Sequence, residues 1–542
     1  GDRHAVWNRH LYVGLATFAL SAADPATAAE PSMIELHAFD GSAVVKGELV
    51  EISHGSYVVR TELGTLRIGL DDAECIGDGC LQLNGFDADF ALLSPSNAVR
   101  SSMQALLAGY AGALDADVQI EGADDAASEV TIVGKAGRDP LAHVTLGLLD
   151  ASAGQGGRRP SGDDSVLNSG GSDEVALSVF VEPDRSTLDD GDDDVLLALD
   201  GAAVIVHPES ALDRLNRRQI AELFACEEGA SLDPERPGGV PTLYGHSPQS
   251  DTYETFKALV LDPFGGGLCD EVIQLPSDDD IARAVADDPN AIGFVSLGHR
   301  GEARPLAIEE CGLVHEASFF SAKAGDYPLA RRIFMTAPPA DQPSASVQRF
   351  IDFALDNDGQ AKLEDSGLIG LNLDTTGASS SIYRLARVEA AVSTVQDTVI
   401  LGELLDLVQN AVRLSATFRF SASTSSIDEQ YSLDNRAQRD LARVVNFLRN
   451  ETPTNTEVLI FGFADTSGDY ASNLALSRQR AQSVADKLAS LGVPIAEIAG
   501  FGEEAPIACN DDPTSRAHNR RVEVWLRFPQ QAEGQEAVRI TM

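Results

Sequence analysis

The spacing of apolar residues changes several times along the chain, and each change marks a boundary. Residues 34–70 carry short runs rich in β-branched residues, Ala43-Val44-Val45, Ser56-Tyr57-Val58-Val59 and Leu66-Arg67-Ile68, separated by Asp40-Gly41, His54-Gly55 and Leu63-Gly64. Runs of this kind between turn dipeptides predict a meander of hairpins. From about residue 91 strands alternate with amphipathic helices, the pattern of an α/β region. Residues 101–110 are predicted helical, with Met103, Leu106 and Leu107 on one side. Residues 154–174 are rich in Gly, Ser, Asp and Arg without period, which predicts a surface loop. The acidic run Asp189-Asp190-Gly191-Asp192-Asp193-Asp194 lacks the spaced ligands and closing Glu of a calcium loop and reads as a solvated turn. Helical spacing returns at 382–414, a predicted connector with Val395, Val399, Leu401, Leu404, Leu405 and Val408 as packing positions. The last region reads strand (417–420), helix (Leu441, Val444, Val445, Leu448), strand (457–461), helix (Ala481, Val484, Ala485, Leu488) and strand (522–526).

With 542 residues, the chain has room for three to four domains at about 150 residues each. Asp and Glu outnumber Lys and Arg by 84 to 40, and the net charge of -44 disfavours nonspecific binding to nucleic acid or anionic lipid. A locally organised anion site is compatible with that background. The chain opens with Arg3, His4, Arg9 and His10, an apolar run at 11–20, and Ala26-Thr27-Ala28-Ala29. That is the pattern of a secretory signal peptide cleaved near Ala28 or Ala29, and the run is too short to span a bilayer. Export permits disulfides among the six cysteines. Cys75 and Cys80 flank a short Ile-Gly-Asp-Gly loop and form the first expected pair; Cys269 with Cys311 is the second, leaving Cys226 and Cys509 unassigned. No C-x-x-C pair or H-E-x-x-H cluster indicates a metal, and no nucleophile, base and metal set converges at recognisable spacing. The expectation is a binding protein without catalytic residues or cofactor.

Gly462-Phe463-Ala464-Asp465-Thr466-Ser467-Gly468 continues through Asn473 and Leu476-Ser477 to Arg480-Ala481. This stretch resembles the OmpA-like peptidoglycan-binding family and fits G-h-[TA]-D-x-x-G-x-x-x-x-N-x-x-L-S-x-x-R-A throughout. Gly500-Phe501-Gly502-Glu503, Pro506 and the run from Arg516 to Glu523 match the remainder, about one fifth of the chain. The chemistry explains the pattern: meso-diaminopimelate of the wall peptide presents an ammonium and a carboxylate on one carbon, so an acid and an arginine make a matched site. Asp465 can accept from the ammonium while Arg480 forks onto the carboxylate. The resemblance adds Asn473 and backbone near Thr466 as pocket groups and Arg521 as a support.

A second resemblance lies upstream. Val204-Ile205-Val206-His207-Pro208, residues 215–224, Asn290-Ala291-Ile292-Gly293-Phe294-Val295-Ser296, Tyr327-Pro328-Leu329-Ala330-Arg331 and residues 350–355 resemble the PstS-type phosphate-binding proteins of ABC importers. The resemblance implies two lobes that close on an oxyanion held at a helix amino terminus. It points to Ser96 and Asn97 before the helix containing Met103, and to His246, Ser250, Asp251 and Thr252, with Ser250, Thr252 and Phe256 matching the family's R-x-x-G-S-G-T-x-x-x-F. His246 stands where the family has arginine, Asp251 where it has glycine, and Ser178-Val179 where it has Ser-Asp.

The expected fold is multidomain α/β: a signal peptide (1–29), a small N-terminal β module (30–90), a two-lobed periplasmic-binding-protein (type 2) domain (91–375), a helical linker (376–414), a C-terminal OmpA-like α/β sandwich (415–528) and a tail (529–542). The expected function is a peptidoglycan-anchored periplasmic receptor near the outer membrane. Its expected partners are the diaminopimelate stem peptide and a small anion, with phosphate first among candidates and an ABC importer or another envelope protein beside it. A different solute, or an envelope scaffold that has lost ligand binding, are the alternatives.

Overall fold

The computed structural model describes residues 33–38, 44–53, 56–61, 64–69, 73–76, 90–94, 97–114, 116–121, 127–134, 140–148, 175–183, 194–227, 241–248, 250–336, 345–376, 395–422 and 435–529. The expected signal peptide, the 154–174 loop, Ser96 and the Cys75–Cys80 pairing fall outside what is described, as do the side chains of Asn97 and Asp251.

The hairpin reading of the amino-terminal module is borne out. Met33–Ala38, Val44–Ser53, Ser56–Thr61, Gly64–Gly69 and Ala73–Ile76 form a five-stranded antiparallel sheet in which the first strand lies between the second and the fifth. The predicted helix is Asn97–Ala113, longer than the periodic core of its sequence, and it buries Met103, Leu106 and Leu107 completely.

The middle region is a large mixed sheet that serves two cores. Its long strand Asp194–Val206 gives Val195, Leu197 and Ala198 to one core and Leu199 to Val206 to the other. Its antiparallel partner Ala330–Thr336 makes the return crossing, with Ala330 packed against the second core and Ile333 and Met335 inside the first. These two strands therefore run through both cores, and they are pinned together where Asp200 faces Arg331 in the register.

The carboxy-terminal sheet runs Val412–Arg419, Arg521–Arg527, Glu457–Gly462, Ile495–Gly500, with only the last pair parallel. Val458, Leu459, Ile460 and Phe461 are all buried, as expected of a central strand covered on both faces. Helices Asn435–Asn450 and Tyr470–Ser490 cover one face. The connector helix Val395–Val408 covers the other: Leu401, Leu404 and Val408 pack with Phe461, Phe463 and Trp525, while Val399 faces solvent. The first strand begins at Val412 rather than at 417, because residues 412–418 pair with the final strand. The end of the expected helical connector thus belongs to the sheet.

One disulfide expectation is corrected. Cys269 bonds to Cys226, and Cys311 bonds to Cys509, 198 residues away. Cys269 is brought to Cys226 because its N–H donates to Phe224 O at the end of helix Arg217–Phe224 (3.0 Å). Cys311 lies in the turn joining Ala307–Glu310 to Leu313–His315 and reaches across to the carboxy-terminal domain. The domains are further joined by backbone pairing of 374–376 with the edge strand, in which Ser415 N donates to Asp374 O (2.8 Å) and Thr376 N to Arg413 O (2.9 Å). The edge that this sheet leaves open is thereby covered.

Candidate functional site

The carboxy-terminal motif folds into a cluster at the end of strand Glu457–Gly462. Gly462 is required there because a Cβ would lie 2.0 Å from Ser477 O, where the helix backbone crosses the strand. That close crossing sets the helix face: Asn473, Ser477 and Arg480 form the polar first half of a buried stripe that continues as Ala481, Val484, Ala485 and Leu488.

Asp465 is almost wholly buried. Its Oδ1 accepts from Ser467 N (2.8 Å), and its Oδ2 accepts from Arg520 Nη1 (2.7 Å). Burial pushes this carboxyl upward, but the bonds from Arg520 and Ser467 outweigh it and hold the group below the ordinary carboxylate range. Arg480 lies near enough to sense both groups: burial and the Arg520 guanidinium push it down to about 10, with Asp465 opposing. Its Nη2 donates to Ser421 O (2.9 Å), and the guanidinium lies 5.5 Å from the Phe420 ring. Asp465 thus lies within electrostatic reach of Arg480, the arginine singled out by spacing, while its hydrogen-bonded guanidinium is that of Arg520. Spacing alone could not identify Arg520, which lies 55 residues further on; the only signal was the doubled Arg520-Arg521 in the final motif.

Asn473 is buried and donates to Glu503 Oε2 (2.7 Å). Thr466 is exposed, and its N–H points to Asn510 Oδ1 (3.3 Å). Arg521 is fully buried behind the cluster, donating to Glu523 Oε1 (2.8 Å) and Ala505 O (2.9 Å) and lying 4.0 Å from the Phe463 ring.

In the middle domain, His246 is buried and its Nε2 donates to Asp278 Oδ1 (2.9 Å), which also takes Ser296 N (2.7 Å). Ser296 Oγ approaches Asp200 Oδ1 (3.4 Å), and Asp200 Oδ2 accepts from Arg331 Nε (3.0 Å) and Nη2 (2.7 Å). A polar line thus runs His246, Asp278, Ser296, Asp200, Arg331, with the imidazole and the guanidinium at its ends each against a carboxylate. Ser250 caps the six-residue helix Asp251–Phe256 through Tyr253 N (3.4 Å), and Thr252 is half-buried beside it.

Comparison with known proteins places residues 428–520 in the OmpA family. Outer membrane protein A of Atlantibacter hermannii is 29% identical over 194 residues, 34% of this chain and 76% of that protein. The Shimwellia blattae protein of the same name is 30% identical over 175 residues, 30% of this chain and 69% of that protein. Among solved structures, an ABC-type phosphate transport receptor from Vibrio cholerae is 15% identical, covering 52% of this chain and 99% of its own, with a TM-score of 0.36. The peptidoglycan-associated lipoprotein from Burkholderia pseudomallei is 31% identical over 20% of this chain and 88% of its own, with a TM-score of 0.18.

Proposed function

The chain belongs to the OmpA family, and on that premise we propose that its carboxy-terminal domain binds peptidoglycan in the bacterial envelope, taking the diaminopimelate of the stem peptide between Asp465 and Arg480. The observation that supports this reading is the pairing of Asp465 with Arg520 at one strand end, with Arg480 in electrostatic reach of both. One carboxylate and two guanidiniums there suit a ligand that brings one ammonium and one carboxylate. The ammonium shares Asp465 with Arg520, since a carboxylate has lone pairs beyond those used by Ser467 and Arg520. The ligand carboxylate takes over the Arg480 contact now made by Ser421 O, replacing a neutral acceptor with a charged one. Each charge-assisted contact is worth about 1.5–3 kcal/mol, so Asp465→Ala and Arg480→Ala each abolish retention on purified sacculi. Undiminished retention of both variants would refute the assignment.

For the middle domain we propose reversible capture of a small anion, phosphate first, by closure of two lobes about a hinge at Asp200 and Arg331. Ser250, Thr252 and the start of helix Asp251–Phe256 supply the donors in this reading. The pairing of His246 with Asp278 favours a second reading, a receptor fold retained as a scaffold, because the side chain standing at the family's arginine position is already engaged by an acid. Calorimetric titration with phosphate separates them: heat at up to millimolar phosphate supports capture, and its absence supports the scaffold. The protein then acts by binding and not by catalysis.

A further inference from the structure

The wall-binding cluster is tied to the receptor-like domain on two sides. On one side, Asn510 Oδ1 accepts from Thr466 N (3.3 Å) and Asn519 Nδ2 (3.1 Å), and the adjacent Cys509 is bonded to Cys311 of the second lobe. On the other, Gly325 ends helix Phe319–Ala324 of that lobe in the left-handed conformation, at φ 71°. Its carbonyl accepts from Arg419 Nη2 (2.8 Å) and lies 3.2 Å from His518 Nδ1, while Arg419 Nη1 donates to His518 O (2.8 Å). His518 stands two residues before Arg520, whose guanidinium holds Asp465. Between these ties runs a buried ionic chain in which Asp326 of the lobe meets Arg413 (2.5 Å), Arg413 meets Glu523 (3.4 Å), and Glu523 meets Arg521 (2.8 Å).

We infer that the second lobe of the receptor-like domain is a working part of the wall-binding site: through Gly325 and Cys311 it positions Arg520 and the Asn510 loop around Asp465. The inference rests on the peptidoglycan reading above and deepens it. Arg520 sets the charge presented to the ligand ammonium, so any displacement of its helix changes both the state of Asp465 and the affinity for the wall peptide. Linkage makes the effect reciprocal, so that occupancy of the wall site also favours the docked lobe.

Gly325 is the position at which to test this. A Cβ there would lie 2.3 Å from Arg419 Nη2 in a backbone conformation that L side chains rarely adopt, and every residue of the wall-binding domain stays unchanged. Full-length Gly325→Ala and the double variant Cys311→Ser/Cys509→Ser are compared with Cys226→Ser/Cys269→Ser, which also loses one disulfide but within the lobe. Retention on sacculi is measured beside the Asp465 carboxyl titration followed by NMR. Interface variants are expected to bind about fivefold more weakly, in the range of allosteric couplings, with the Asp465 titration moved upward; the Cys226/Cys269 control keeps both values. Wild-type affinity and titration in Gly325→Ala and in the Cys311/Cys509 variant overturn the inference, as does an equal loss in the control. Should Asp465→Ala itself bind sacculi normally, the peptidoglycan reading fails; should it lose binding while the interface variants keep it, only the coupling fails.

Discussion

Glu523→Ala tests the electrostatic interior of the carboxy-terminal domain. Glu523 is fully buried; its Oε1 accepts from Arg521 Nε (2.8 Å), and its Oε2 accepts from Trp525 Nε1 (2.9 Å) and faces Arg413 Nε (3.4 Å). Arg413 retains Asp326 without it, but Arg521 loses the carboxylate that its Nε donates to. Breaking one side of a buried ion pair costs about 3–5 kcal/mol, and an orphaned buried N–H adds about 1–3 kcal/mol. Because the two share one side chain and do not add in full, the expected loss is at least about 3 kcal/mol. The sequence supplies its own probe: its two tryptophans are Trp7, inside the segment expected to be removed on export, and Trp525, fully buried in this sheet. Denaturant unfolding of residues 30–542 followed by tryptophan fluorescence therefore reports on this domain alone. Glu457→Ala, which breaks the exposed pair with Arg527, is the control and costs less than about 1 kcal/mol. A loss below about 1 kcal/mol in Glu523→Ala would refute the reasoning.

Gly462→Ala forces a Cβ to within 2.0 Å of Ser477 O and 3.2 Å of Ala481 Cβ, so strand and helix must separate; overpacking of this kind costs about 1–3 kcal/mol or more, read by the same fluorescence transition. Asp465 is held below its ordinary value of 3.8 in the folded protein. A depressed carboxylate contributes stability that is full above its unfolded pKa and is lost as pH falls through its folded pKa. The contribution of Asp465 therefore persists through mildly acidic pH and disappears only below 3.8. Arg520→Gln removes the main depressing partner and leaves burial, so the carboxyl titration seen by NMR moves upward; an unchanged midpoint would contradict the pairing.

Much of the carboxy-terminal domain was legible because its strands and helices carry clean periods: Leu441, Val444 and Val445 are buried, as their helical spacing required. Asp465 and Arg480 were legible because one local motif holds both. Arg520 was not, because it sits between helix Pro513–Asn519 and strand Arg521–Arg527, where no period says which of the two adjacent arginines turns to Asp465. The meeting of Asp326 with Arg413 joins residues 87 apart in separate domains and leaves no periodic trace. The disulfides show the same limit: Cys269 was expected to pair with Cys311, whereas the folded chain gives each of them a different partner, since connectivity depends on tertiary approach. In the middle domain the α/β character follows from alternating strands and helices, but the acid beside His246 comes from a helix 32 residues later.

Wall recognition is tested most directly by calorimetry of the full chain with two stem peptides that differ at one residue, meso-diaminopimelate in one and lysine in the other. Lysine keeps the ammonium for Asp465 and lacks the carboxylate for Arg480. The diaminopimelate peptide is predicted to bind at least about tenfold more tightly, the equivalent of one charge-assisted contact, and Arg480→Ala is predicted to erase that preference. Equal affinity for the two peptides in the unaltered chain would contradict the account.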